Sequence, residues 1–212
     1  MPARKVSNRG GNIIGAFPSL RNGHMVYYES TIERDFLFFL EFDPTVLRYE
    51  LQPFVIKGND AEGKPRSYIP DVLITRSSTK ELVECKPAAR LDEDHTKQQL
   101  ELGQAWCEAN DCDYVVMTDA DLRAGHQLAN LKLLWRYARV KIPILLIEQI
   151  RTIVAHYPDG MPFSFLSQHT HHLCPTSAPQ PTLYHLLFCH ILTADLRQPL
   201  LPQSQIRLAL PA

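Results

Sequence analysis

Long apolar runs are missing from this sequence. Even "PILLI" at Pro143–Ile147 is far shorter than the ~20 residues a helix needs to cross a bilayer. The N-terminus has no signal-peptide core, so no membrane partner is expected. Cysteine is sparse: Cys85, Cys107, Cys112, Cys174 and Cys189 are odd in number and scattered. That speaks against a disulfide framework and for a reducing, cytosolic compartment. Excess charge is also missing. With 22 basic against 23 acidic residues the net charge is -1, so any nucleic-acid contact must come from a local patch.

Two regions lack charge of one or both signs. No acid precedes Glu29, while Arg4, Lys5, Arg9 and Arg21 stand around Gly10 and Gly11. Residues 1–25 therefore read as a basic arm, either a plain terminus or a neutraliser of DNA phosphates. Beyond Asp159 only Asp195, Arg197 and Arg207 are charged. Such a surface suits a protein partner better than DNA. "HTHHLC" at His169–Cys174, with His185 and Cys189 one helical turn apart, lacks the two clean ligand pairs of a structural zinc site.

What remains is ordinary globular composition, 45% hydrophobic and 21% charged. "ESTIERDFLFFLEFDP" predicts a helix with Ser30 as N-cap and Ile32, Phe36, Phe39 and Leu40 on its apolar face. "VLRYELQPFVI" predicts a strand broken at Pro53, and "NDAEGKP" a turn. Strands follow at Tyr68–Thr75 and Leu82–Lys86, then a helix with Leu102, Ala105 and Trp106 inward. "YVVMTD" reads as a short buried strand, and "LANLKLLWRYARV" as a helix. Ile142–Ala155 and Leu183–Cys189 complete the helices, and the end of the chain suits a hairpin. The order predicts an α/β fold, a mixed sheet flanked by helices, with a small winged-helix-like C-terminal region.

The chemistry lies in "YIPDVLITRSSTKELVECKP". Alternation along a strand puts Glu84 and Lys86 on one face. If the preceding strand pairs with theirs, Asp71 stands beside Glu84. Two carboxylates that close repel unless a cation lies between them. A hard divalent ion with oxygen ligands fits, and the Cys85 backbone carbonyl offers a further donor. Lys86 then stabilises charge on an attacked phosphate or orients the water. The plain alternative is a pair of edge-strand charges facing solvent. Ser30-Thr31-Ile32-Glu33 fits a capping box in which Glu33 bonds back to the cap. Of the aromatics Tyr27, Tyr28, Phe36, Phe38 and Phe39, Tyr27 and Tyr28 precede the helix and are the candidate DNA neighbours.

Pro70-Asp71 with Glu84-x-Lys86 resembles the PD-(D/E)xK restriction-endonuclease-like superfamily. Within it, "FPSLRNGHMVYYESTIERDFLFFLEFDP", "LRYELQPF", "YIPDVLI", "VECKPAA" and "YVVMTD" occur in the order seen in TnsA, the endonuclease subunit of heteromeric cut-and-paste transposons, including CRISPR-associated ones. The resemblance implies an endonuclease domain over 26–139 and a C-terminal region over 140–212. It places the catalytic acids on Glu33, Asp71 and Glu84 and the catalytic lysine on Lys86, with Glu29 the runner-up to Glu33. It implies Mg2+ as cofactor, with Mn2+ as substitute. It further implies double-stranded transposon ends as substrate, cut on the 5′ strand with a DDE transposase and an AAA+ ATPase regulator as partners. Arg4, Lys5, Arg9, Arg21 and Tyr27 are the expected DNA contacts. The competing expectations are a stand-alone restriction-like or junction-resolving nuclease, and a non-catalytic assembly subunit.

Overall fold

A computed structural model describes residues 14–59, 63–174 and 179–210. The chain forms two compact units, the first ending at Arg123 and the second beginning at Ala124.

The first unit opens with a hairpin, β1 (Gly15–Pro18) against β2 (Met25–Tyr28). Helix α1 (Thr31–Phe42) follows. Ser30 Oγ accepts from the Glu33 N–H at 3.1 Å, so the expected cap is in place. Pro44 lies just past its last turn, where a missing N–H bars continuation. Leu37 and Leu40 are fully buried with Phe36, whereas Phe39, expected inside, is half-buried. The structure assigns that place to Leu37.

Four strands form the central sheet: β3 (Arg48–Leu51), β6 (Val72–Thr75), β7 (Lys80–Lys86) and β8 (Asp113–Thr118), adjacent in that order. Pairing is antiparallel for β3/β6 and β6/β7 and parallel for β7/β8. The sheet is therefore mixed, as expected. Beside it stands the hairpin of β4 (Ile56–Asn59) and β5 (Pro65–Tyr68). The expected single strand Tyr68–Thr75 is two pieces, because Pro70 has no N–H to continue a ladder. Helix α2 (Asp94–Ala109) crosses one face with Gly103 and Cys107 buried, and Leu102 and Trp106 partly so. Ala105, expected inward, is exposed. β8 is mostly half-buried rather than buried. The short helix α3 (Asp119–Arg123) ends the unit.

The second unit holds α4 (Gln127–Trp135), α5 (Ile144–Ala155), α6 (Phe163–Thr170) and α7 (Gln180–Phe188). They surround a small antiparallel sheet of β9 (Met161–Pro162), β10 (Leu192–Thr193) and β11 (Gln205–Leu208), ordered β10-β11-β9. The expected terminal hairpin is β10/β11. Its core is Leu131, Leu134, Ile150, Leu166, Leu183, Leu186, Leu192 and Ile206. Asn130 Nδ2 donates to the carbonyls of Leu196 and Gln198, which stitches the loop before β11 to α4. No helix among the described residues is long and apolar enough to cross a membrane.

Candidate active site

The register of β6 on β7 sets the geometry. Val72 faces Val83 and Leu73 faces Leu82, so one step further brings Asp71 level with Glu84. Alternation then puts Asp71, Glu84 and Lys86 on the face that carries Leu73 and Leu82. β6 stops at Val72, and beyond it the Asp71 side chain takes over the pairing: Oδ2 accepts the Cys85 N–H at 2.8 Å. The Asp71 carbonyl accepts the N–H of Gln52 at 2.9 Å. Gln52 is buried with φ of 49°, a left-handed conformation that a non-glycine residue holds only where its surroundings demand it.

Glu84 is 1% exposed. Its Oε1 stands 2.6 Å from Lys86 Nζ, and its Oε2 is buried without a hydrogen-bond partner. Burial, then the charge of Asp71, pushes the Glu84 carboxyl up to about 8. Glu33 reaches the same neighbourhood from the first turn of α1. Burial, and again Asp71, raises it to about 7. Asp71 itself is raised by burial, which Lys86 and the Cys85 N–H oppose. Burial pulls the Lys86 ammonium down, yet Asp71 and Glu84 together hold it above its usual value. Three acids thus crowd one amine, each holding its proton longer than in water.

Glu33 departs from the expected capping box: Ser30 caps its N–H, but its carboxylate takes the N–H of Glu29 rather than that of Ser30. Its Oε2 accepts the N–H of Glu29 at 3.0 Å, one residue before the cap, while its charge faces Asp71. Glu29 contributes this backbone donor. The donor set is all oxygen, which suits a hard divalent cation, and Glu84 Oε2 is a buried acceptor with capacity to spare. Among the described residues no three His, Cys, Asp or Glu side chains close tightly around one point. Each acid has a protein partner: the Glu29 N–H for Glu33, the Cys85 N–H for Asp71 and the Lys86 ammonium for Glu84.

The expected DNA contacts divide. Arg4, Lys5 and Arg9 lie outside the described residues. Arg21 is drawn into the fold, its Nη2 donating to the Asp43 carbonyl at 2.5 Å and its N–H to Glu41 Oε2 at 3.2 Å. Tyr27 stands exposed on β2 opposite Ala16. In the second unit, His185 Nε2 is 3.4 Å from Cys189 Sγ and His185 Nδ1 is 2.9 Å from the Tyr137 carbonyl.

Sequence reasoning passed over Asp119. Its Oδ1 accepts the Ala88 N–H at 2.8 Å and fixes the turn that follows Lys86. Only the parallel pairing, Lys86 beside Thr118, brings those two strand ends together. It also passed over the buried acid Glu41, 3% exposed, which accepts from Tyr49 Oη at 2.7 Å and from the N–H groups of Leu20 and Arg21. Fully satisfied, Glu41 is a clamp between α1, β3 and the loop of the β1–β2 hairpin.

No curated protein matches the chain. A family model does, that of the TnsA-like endonuclease N terminal, over residues 43–119. That span contains Asp71, Glu84 and Lys86 and runs from the end of α1 to the end of β8. Residues 43–119 are thus similar to a TnsA-like endonuclease N-terminal domain, and the mixed sheet they carry, flanked by helices, is consistent with a restriction-endonuclease-like fold.

Proposed function

We propose that the protein is a Mg2+-dependent DNA endonuclease that cuts the 5′, non-transferred strand at transposon ends. It would act in the bacterial cytoplasm beside a DDE transposase and under an AAA+ ATPase regulator. One observation carries this reading. Asp71 stands level with the Glu84–Lys86 pair on one sheet face, inside the TnsA-like segment, with all three groups perturbed by burial and by one another.

Glu33, Asp71, Glu84 and the Cys85 carbonyl would hold the cation, Mg2+ or its substitute Mn2+. When bound, such an ion polarises a phosphate oxygen and makes water acidic enough to attack. The remaining work belongs to the chain. Asp71 is aimed by the Cys85 N–H, and Glu33 by the Glu29 N–H, so both acids reach the site from rigid elements. Lys86, its side chain 20% exposed, stands between Glu84 and solvent and stays charged. There it meets the scissile phosphate and stabilises the charge that develops on it. Arg4, Lys5 and Arg9 supply phosphate contacts along the duplex, and exposed Tyr27 supplies a neighbouring ring. Sequence choice rests with the transposase.

The reading is tested on DNA carrying both transposon ends, incubated with the protein, the transposase, the ATPase and Mg2+. Strand-resolved gels are expected to show 5′-strand cuts at the ends that vanish with Asp71→Ala. Cutting without any divalent ion, or unchanged cutting by Asp71→Ala, would overturn it.

A further inference from the structure

Among the described residues, three buried side-chain oxygens have no hydrogen-bond partner: Glu84 Oε2, Tyr68 Oη and Tyr114 Oη. They share one neighbourhood. Tyr114 faces Leu82 across the parallel β7/β8 register, which puts it on the face that Glu84 occupies one alternation further on. Tyr68, at the end of β5, belongs to the same cluster of side chains as Leu82 and Tyr114. Above them passes Gly103 of α2, where a Cβ would run into the Tyr68 hydroxyl and the Tyr114 ring. The helix therefore leaves open the space in which the two phenols meet. Burial raises both hydroxyls and the Glu84 charge acts on both; the two lie close enough to interact as a donor–acceptor pair, although neither makes a hydrogen bond of full geometry.

A buried hydroxyl left unpaired costs about 1–3 kcal/mol, and native structures contain few of them. The surroundings here are Ile56, Phe54, Leu82 and Trp106, all of which would accept phenylalanine. Two hydroxyls persist in that apolar pocket, and the acid beside them has an unmet acceptor. Donor and acceptor needs match: two O–H groups on one side, a carboxylate oxygen on the other.

We infer that Tyr68 and Tyr114 are positioning residues for Glu84, a phenol pair beneath α2 placed to donate to its inner oxygen once the site is loaded, and so to fix the direction of its outer oxygen when Lys86 turns away. Carboxylates that bind cations are commonly oriented by such outer partners. The inference rests on reading Glu84 as a cation ligand. It explains how Glu84 keeps its aim once Lys86 turns from Oε1 to a phosphate: the inner end of the carboxylate is held from behind.

Calorimetric titration of the full-length protein with Mn2+ tests this, using Tyr68→Phe, Tyr114→Phe, the double variant and Asp71→Ala. Urea unfolding of each metal-free protein accompanies it. Mn2+ affinity is expected to fall roughly tenfold in each Phe variant, more in the double, with metal-free stability unchanged or higher. Phe variants that bind Mn2+ as the wild type does would overturn the inference alone. So would a loss of metal-free stability without loss of affinity, since that marks a structural hydroxyl. Wild-type protein whose Mn2+ binding is absent, or indifferent to Asp71→Ala, would overturn the cation reading and this inference with it.

Discussion

The Lys86 ammonium lies 2.6 Å from Glu84 Oε1, two residues along one face of a single strand. Strand geometry alone would not make them touch so closely. Asp71 adds a second negative charge, and burial strengthens the attraction between the ammonium and both acids. Lys86→Ala is therefore expected to slow cleavage by roughly two to three orders of magnitude, as loss of one preorganised charge stabiliser does. The fold should survive, since the Lys86 side chain is partly exposed. Single-turnover cleavage rates and a circular dichroism spectrum check both halves.

The raised carboxyls predict how stability depends on pH. Glu33 and Glu84 hold protons in the folded protein up to about 7 and about 8, against 4.5 when unfolded. Between those values the folded state binds more protons, so its stability falls as pH rises. Their contribution is complete below the unfolded value and gone above about 8. Urea midpoints of the metal-free protein should be higher near pH 5 than near pH 9, by an amount that Mg2+ at the higher pH reverses. A flat profile would refute the crowded-acid picture.

Asp71→Asn separates charge from hydrogen bonding. The amide oxygen still accepts the Cys85 N–H, while the charge that raises both Glu33 and Glu84 is gone. The metal-free variant should melt at a higher temperature than the wild type, with less pH dependence, and should not cut DNA. Scanning calorimetry with a cleavage assay shows whether the gain in stability and the loss of activity coincide.

Glu33 has two duties, and two substitutions divide them. Glu33→Gln keeps an oxygen for the Glu29 N–H but loses the charge facing Asp71. It should retain stability and lose cleavage. Glu33→Ala loses both and should cost about 1 kcal/mol besides, the usual worth of a helix-end bond. Equal stability of the two variants would mean that the cap bond contributes nothing.

Glu41 is buried like Glu33 and Glu84, yet Tyr49, Leu20 and Arg21 satisfy it, and no role in the chemistry is assigned to it. Glu41→Ala leaves three donors unmatched and should destabilise the protein by about 3 kcal/mol. Equilibrium urea unfolding measures it. Mn2+ affinity of the folded fraction should stay at the wild-type value.

The sequence by itself determined much of this protein. Ser30 and Pro44 bracket α1 by capping and by a missing N–H, and period-two alternation set Glu84 and Lys86 on one face, because both are properties of a few adjacent residues. The break at Pro70 was legible in its missing N–H, but the burial of Leu37 in place of Phe39 and the exposure of Ala105 were beyond the sequence's reach, since neighbours distant in sequence decide which side of an element is inside. Only the tertiary structure brought Asp119 to Ala88, Glu33 to Asp71, and Tyr68 and Tyr114 together beneath Gly103. Those meetings depend on strand register and helix crossing, and a hydrogen bond or a charge acts only across the few ångströms that they fix.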